Sequence, residues 1–518
     1  MYEMNHAAVA PMRALADATQ LFYRNPLNPL AQTQWGKTIA ASCELFERTT
    51  RRYAKPEFGL NATTINGVEV PVVENVVWQK PFCDLIRFER SSASRDADAP
   101  AEQKLLIVAP MSGHYATLLR GTVEAMLPHH DVYITDWTDA RAVPTSDGKF
   151  DLDDYIDYVI EMLHYLGEGV HVMAVCQPSV PVLAAAAVMD AANDPALPAS
   201  MTLMGGPIDT RINPTAVNKL AEEKDLSWFK NNVIMTVPFP NPGVMRSVYP
   251  GFLQLSGFMS MNLDRHVSAH KEFFSHLVEG DGDSADKHTS FYDEYMAVMD
   301  LTEEFYLQTV EVVFMTHDLP RNQMTHHGER IDLRAIKNIA PMTVEGENDD
   351  ISGVGQTEAA HTLCVNLTDD MRAHYMQPKV GHYGVFNGSR YRAEIAPRIR
   401  DFMAAHNKNS STTPAKTSVT EAKPVPKAAL VSKTEANLSD LLLSKPQGAA
   451  DDLKKVTGLG PKFETILNQL GIFHYFQIAR LSDKQIAELD DKLPFKGRIV
   501  RDNWVQQAEA LMSAAVTV

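Results

Sequence analysis

Cysteine is scarce in this chain. Its 518 residues hold four, Cys43, Cys83, Cys176 and Cys364, widely scattered and with no Cys-x-x-Cys pair. That excludes a disulfide framework and fits a reducing compartment. Long apolar runs are missing too: none approaches the roughly 18 residues that a membrane-spanning helix needs, so no membrane span is expected. The opening residues, MYEMNHAAVAPMRALADA, lack the basic segment followed by an apolar stretch that marks a signal peptide. Positive charge is not in excess. A formal net charge of −17 argues against broad binding to nucleic acid or anionic membrane by the whole chain. The expected setting is cytoplasmic, either soluble or attached peripherally to something inside the cell.

The acidity is uneven. Residues 406–518 carry 15 Lys and Arg against 12 Asp and Glu, so the deficit lies entirely in residues 1–405. With 45% hydrophobic residues the composition is that of a soluble globular protein, long enough for more than one folded unit. Residues 1–60 read as an N-terminal helical segment, amphipathic over 1–55. A packing helix pair is one reading of it and a surface for a hydrophobic partner the other. Residues 68–90 alternate and are rich in valine, as a strand pair does. Short buried strands follow at 104–109, 131–135, 170–175 and 200–204, with an amphipathic helix at 151–166 among them. This rhythm predicts an α/β fold with a mostly parallel sheet covered on both faces.

Residues 210–335 break the rhythm and read as a cap insertion with helices around 266–278 and 291–316. Phe229, Phe239, Tyr249, Phe252, Phe258, Met259 and Met261 would give it an apolar underside, or pack its own core. Strands at 341–345 and 371–380 and a helix at 391–405 close the sheet. Residues 406–450, rich in Ser, Thr, Pro, Ala and Lys, read as a flexible linker, with Leu438–Leu443 as a short apolar docking patch. Residues 451–518 read as a second, all-helical unit with segments at 474–480, 483–489 and 501–513.

The chemistry centres on VHVMAVCQPSVPVLAAAAVMD, residues 170–190. A β-branched strand ends at Cys176, Gln177-Pro178 break it, and a small, apolar helix follows. A strand turning sharply into a helix with a nucleophilic side chain at the turn is the elbow of α/β-hydrolases. Small residues flank such a turn because its backbone is strained and closely packed. Ala174 meets that need, and Pro178 suits the first turn of a helix. An acid and a base then arrive in the order of that fold: Asp349 in the Gly-Glu-Asn-Asp turn at 346–349, after one late strand, and His382 in Gly-His-Tyr-Gly, after the last. Asp350 and Asp209 are alternative acids.

These roles define a mechanism. His382 takes the thiol proton of Cys176, Asp349 fixes the imidazole, and the thiolate attacks an ester carbonyl. The oxyanion needs two donors, for which the backbone N–H groups of Gln177 and Met111 are the candidates. Water, or another acceptor activated by His382, releases the acyl group. No metal and no bound cofactor is expected.

AVCQP, DVYITDW, GGPID, VEGENDDISG and VGHYGVF, with FYLQTVEVVFMTHDLPRNQM, resemble the intracellular poly(3-hydroxybutyrate) depolymerases over residues 1–405. The resemblance implies that Cys176, Asp349 and His382 are a catalytic triad. It also implies a substrate that is the amorphous polyester of storage granules, with the granule surface and granule-associated proteins as partners and coenzyme A as a conceivable acyl acceptor. Related polyester synthases share the triad but keep Gly-x-Cys-x-Gly where this chain has Ala174 and Pro178, which favours the depolymerase. A granule-tethering protein is a third reading. In the tail, VTGLGPK at 456–462 resembles a helix-hairpin-helix turn, in which Gly458, Gly460 and Lys462 could hold a phosphate. Nine basic and nine acidic residues over 451–518 show no strong basic face. A small interaction module and a weak nucleic-acid contact are the two readings of this unit.

Overall fold

The computed structural model describes residues 4–91, 102–261, 263–279, 281–407, 441–443, 445–446, 450–451, 453–456, 461–490, 499, 504–505 and 507–508. Its contacts divide the chain into two compact units, Met1–Thr413 and Pro414–Val518.

In the first unit a nine-stranded sheet forms from β1 (Ala62–Ile65), β2 (Val68–Lys80), β3 (Cys83–Arg90), β4 (Lys104–Val108), β5 (Asp131–Trp137), β6 (His171–Val175), β7 (Ser200–Met204), β13 (Ala340–Gly346) and β14 (Ala373–Gln377). The strand order is β1-β2-β3-β5-β4-β6-β7-β13-β14. The edge β1-β2-β3-β5 pairs antiparallel, and β5 through β14 pair parallel. This mixed order, with β4 and β5 crossed over, is the α/β-hydrolase sheet. The parallel strands β6 and β7 are buried along their whole length, as strands covered on both faces must be. Leu105, Ile107, Val132, Ile134, Val172 and Leu203 lie in one core with the covering helices.

Those helices include α3 (Arg120–Met126), α4 (Leu152–Leu166) and α5 (Ser179–Ala191). Asp151 starts α4 by accepting the N–H groups of Asp153 and Asp154, while the Asp154 carboxylate accepts the N–H of Asp151. This reciprocal cap satisfies orphan donors of the first turn. The N-terminal segment is a helix pair, α1 (Met4–Arg24) and α2 (Gln34–Thr50), with Thr33 capping α2 through the N–H of Gly36. Leu15, Leu21, Phe22, Leu27 and Trp35 of this pair and its loop leave more than half of their surface exposed.

The insertion between β7 and β13 holds α6 (Ala216–Glu223), α7 (Leu226–Val233), α8 (Gly251–Met261), α9 (Leu263–Glu279) and α10 (Gly282–Tyr295). A small sheet orders β8 (Met235–Thr236), β9 (Ser247–Tyr249) and β10 (Leu301–Thr302), and a hairpin pairs β11 (Thr325–His326) with β12 (Glu329–Arg330). The helix expected over 291–316 is therefore two. Leu301 and Thr302 leave the helix to pair with Tyr249 and Val248. Helix resumes at Glu303–Thr309 and widens to a π turn over Val310–Met315. Two of the cap's aromatics pack against cap residues. Phe229 packs with Ala221 and Val310, and Tyr249 stacks on Tyr306 at 4.0 Å. Phe239 is exposed and Phe252 partly so. The side chains of Phe258 and Met261 lie outside the described residues.

The second unit has its own core of Leu453, Leu467, Ile472, Ile478, Leu489 and Trp504. Its described helices are Pro461–Gln469, Tyr475–Ala479 and Asp483–Asp490. Leu441 and Leu442, from the patch read as a docking segment, pack against this core, where Gln477 Nε2 donates to the Leu441 carbonyl at 2.7 Å. Most of the rest of the expected linker, and most of the expected 501–513 helix, lie outside the described residues. Among the described residues no helix is long and apolar enough to cross a membrane.

Candidate active site

The parallel register brings the site together. Val108 of β4 lies beside Ala174 of β6, Val175 beside Met204 of β7, Met204 beside Val344 of β13, and Gly346 beside Gln377 of β14. The segments that leave these carboxyl ends, at 109–114, 176–178, 205–209, 347–352 and 378–386, must therefore meet at one edge of the sheet, as ligand-binding loops of open α/β sheets do.

Cys176 is the turn between β6 and α5, and its φ is +69°. A side chain in this left-handed region costs about 1–2 kcal/mol, so surrounding contacts must impose it. The Cys176 N–H donates to the Met204 carbonyl at 2.7 Å, and its own carbonyl accepts the Ser179 N–H at 3.0 Å. Pro178 stands at the helix start, and its carbonyl accepts the Val182 N–H at 2.9 Å. Proline is thus compatible with the elbow because no helix bond needs its nitrogen.

His382 opens a short 3-10 turn after β14, and its Nδ1 lies 2.8 Å from Asp349 Oδ2. Both side chains are nearly fully buried, Asp349 at 1% exposure. The other Asp349 oxygen accepts the N–H groups of Ile351 and Ser352 at 2.9 Å each, which locks the carboxylate. Burial would drive the proton off His382, but the Asp349 charge and then the Cys176 side chain outweigh it. The balance raises the imidazole pKa well above its ordinary value, with Nδ1 bonded to Asp349. The arrangement is one in which a thiol proton can pass to an imidazole whose cation is stabilised. Asp349 is thus the carboxylate that meets His382. Asp209 is instead held by Arg211 through two contacts of 2.8 and 2.7 Å, and Asp350 is exposed.

Met111 and Gln177 are buried and occupy the ends of adjacent strand exits. Neither backbone N–H donates to another group among the described residues. The Met111 loop is stitched to the cap. Gln254 of α8 donates to the Ser112 carbonyl, the Met299 N–H donates to the Gly113 carbonyl at 2.7 Å, and His114 Nε2 meets the Tyr295 carbonyl at 3.1 Å. Burial keeps His114 neutral, its pKa lowered to about 4. Gly113, at φ +96°, leaves the room that Gln254 fills.

Two glycines matter that sequence reasoning quoted without a role. A β-carbon on Gly205 would stand 3.2 Å from the His382 ring and 3.3 Å from Asp349 Oδ2. One on Gly206 would collide with Ser179 Oγ and stand 3.0 Å from the Cys176 carbonyl oxygen. The signal was present: two consecutive glycines directly after a buried strand mark a close backbone approach. Gly206→Ala is expected to destabilise the fold by about 1–3 kcal/mol through overpacking at the elbow, read as a lowered denaturation midpoint, with activity reduced in the surviving folded protein. Gly346 acts similarly, since a β-carbon there would sit 2.8 Å from the Val380 carbonyl oxygen. It allows close packing, where the sequence suggested a tight turn.

Tyr383 lies beside His382, with ring centroids 6.0 Å apart, and is equally far from Tyr295 of the cap. The Tyr295 ring is 5.2 Å from His266. His266 lines a mainly apolar cleft of about 560 Å³ between α2 and the cap, with Leu45, Met259, Leu263, His270 and Phe274. A series of ring contacts thus links this cleft to His382. Glu345, Glu358 and His374 converge closely enough to hold a cation, but the Glu345 carboxylate already accepts the N–H groups of Gly355, Thr357 and Glu358 at 2.8, 2.7 and 3.0 Å. Gly458 and Gly460 lie outside the described residues, as does the side chain of Lys462, whose backbone falls in the helix Pro461–Gln469.

The family described as "PHB de-polymerase C-terminus" matches residues 205–407, and the "RS2/RL21/YNQ2 HHH domain" matches residues 453–512. Among solved structures, a thermophilic esterase from Thermogutta terrifontis is 11% identical, covering 67% of this chain and 97% of that one at a TM-score of 0.34. The 2-hydroxy-6-oxo-6-phenylhexa-2,4-dienoate hydrolase of Rhodococcus sp. strain RHA1 is also 11% identical, covering 65% and 99% at 0.34. Among curated proteins, the large ribosomal subunit protein bL21 of Jannaschia sp. (strain CCS1) is 53% identical over 72 residues, 14% of this chain and 28% of that protein. The small ribosomal subunit protein uS2 of Methylobacterium sp. (strain 4-46) is 49% identical over 74 residues, 14% and 21%. The chain thus spans about a quarter of the length of these ribosomal relatives. Residues 205–407, which carry Asp349 and His382, are similar to the carboxyl-terminal part of the polyhydroxybutyrate depolymerases.

Proposed function

We propose that the chain is a cysteine-dependent ester hydrolase that cuts the amorphous poly(3-hydroxybutyrate) of storage granules in the cytoplasm. The observation that carries this reading is the buried 2.8 Å contact of His382 with Asp349 at the end of an α/β-hydrolase sheet where Cys176 forms the elbow, its side chain among the influences that raise the His382 pKa. The depolymerase match over 205–407 supports the polyester as substrate. So do the exposed apolar side chains of α1 and its loop, which suit a water-insoluble surface.

His382 accepts the thiol proton of Cys176 on Nε2, because Nδ1 faces Asp349. The thiolate attacks the ester carbonyl, and the N–H groups of Gln177 and Met111 hold the oxyanion. Collapse expels the alcohol end of the polymer, which takes the proton from His382, and leaves an acyl-cysteine. His382 then deprotonates water, which attacks the thioester and restores the thiol. Coenzyme A is an alternative acceptor in this second half.

The C-terminal unit is a small helical module. Its relatives are named ribosomal subunit proteins, which favours a weak nucleic-acid contact through Gly458, Gly460 and Lys462 over a purely protein partner.

The test is release of 3-hydroxybutyrate from protein-coated amorphous granules, with and without coenzyme A. Release in water alone is the expected result, and a strict requirement for coenzyme A would identify thiolysis. Cleavage of soluble short-chain esters with none from granules would overturn the polymer as substrate while keeping the esterase. Polymer growth from hydroxyacyl-coenzyme A would make the chain a synthase.

A further inference from the structure

The hairpin that ends the cap insertion carries two histidines that ester cleavage does not use. β11 and β12 are joined by His327-Gly328, both with left-handed backbone, at φ +49° and +80°. Asparagine, aspartate or glycine is the usual first residue of such a two-residue turn, so a histidine there suggests a use for its side chain. His327 Nε2 lies 2.8 Å from Asp157 Oδ2, and His326 Nε2 lies 2.8 Å from Asp157 Oδ1. Two adjacent imidazoles thus take both oxygens of one carboxylate, which comes from α4, far away in the sequence. Asp153, one helical turn earlier, accepts the His327 N–H at 3.1 Å, and its Oδ2 lies 3.8 Å from His327 Nδ1. The ligand atoms of Asp157, His326 and His327 all lie within 4.8 Å of one another.

We propose that Asp157, His326 and His327 bind a divalent transition-metal cation of the zinc class. Two imidazole nitrogens and a carboxylate are a donor set that such cations favour over Ca²⁺ or Mg²⁺. Opening the Nε2–Oδ contacts by about half an ångström gives the ligand spacing around one ion at about 2.0–2.2 Å. One ion would then replace the two Nε2 protons, with water completing the shell. Asp153 faces the second nitrogen of His327, where a metal-bound imidazole needs an orienting acceptor. Because the ligands come from α4 and from the hairpin, the ion would clamp the end of the cap insertion to the helix layer of the sheet.

Full-length protein freed of metal is titrated with Zn²⁺ against a chromophoric chelator. One tight equivalent per chain is expected, weakened about a hundredfold by Asp157→Asn or His327→Asn. Asparagine at 327 accepts the left-handed backbone, so that variant keeps its fold and its ester-cleaving activity. Bound Co²⁺ should show the d–d spectrum of nitrogen and oxygen ligands with no thiolate charge-transfer band. No tight equivalent in the wild type, unchanged affinity in both variants, or a thiolate band from Cys176 each overturns the proposal.

Discussion

Cys176→Ala is expected to lower kcat for ester cleavage by a factor on the order of 10⁶, the scale seen when the nucleophile of such a group of residues is removed. The change leaves the elbow intact. Alanine keeps the β-carbon, so the strain at φ +69° is the same, and the bonds that fix the turn involve only the backbone of residue 176. Circular dichroism and the denaturation midpoint should therefore match the wild type while initial rates on a soluble ester collapse. Alkylation gives an independent reading. Burial pushes the Cys364 thiol up to about 12 and the Cys83 thiol well above its ordinary value, and burial with nearby Asp17 raises Cys43 more modestly. Thiols so disfavoured as thiolates react slowly. Limited iodoacetamide should modify Cys176 before the other three, with loss of activity in step with its labelling. Activity that survives in Cys176→Ala, or persists after stoichiometric labelling of Cys176, would remove the cysteine from the mechanism.

Much of this site was legible because the fold writes it into short, ordered signals. A β-branched run that stops at Cys176 and gives way to an alanine-rich stretch can hardly be anything but a buried strand feeding a buried helix, and β6 and α5 are both. The placing of Asp349 and His382 after successive late strands followed from the same alternation of strands and helices. Sequence favoured Asp349 through the turn at Gly346 but left its competitors standing. Asp209, Asp349 and Asp350 are all aspartates in turns after strands, and only the structure shows that Arg211 occupies the first while the N–H groups of Ile351 and Ser352 aim the second at His382. The cap was harder, because its helices and strands are short and their periodicity is lost where Leu301 and Thr302 pair across the small sheet. The Asp157 cluster was invisible for a different reason: His326-His327 and Asp157 are far apart in the sequence, and neither segment forms a recognisable ligand motif alone.

Asp349→Asn should reduce kcat about 10⁴-fold and shift its pH dependence. Asparagine keeps an oxygen for the N–H groups of Ile351 and Ser352, so the turn at 346–352 survives. It loses the charge that holds His382 protonated, and its amide can present a hydrogen to Nδ1, which favours the wrong tautomer. With the charge gone, burial, the largest influence on His382, drives its proton off. The ionisation assigned to His382 in the pH–rate profile should move down, from well above the ordinary imidazole value of 6.5 to below it. Stability responds with a defined sign. A histidine whose folded-state pKa is raised contributes stability that is fully present below its unfolded value and is lost as pH rises through the folded one. The wild type should therefore exceed Asp349→Asn in Tm most clearly below about pH 6.5, with the gap narrowing as pH climbs through the raised value. Asp350→Asn, at an exposed position, should change neither profile by more than a small factor. If Asp349→Asn leaves the pH–rate profile in place while Asp350→Asn displaces it, the acid is the neighbouring residue and the 2.8 Å contact between His382 and Asp349 is structural alone.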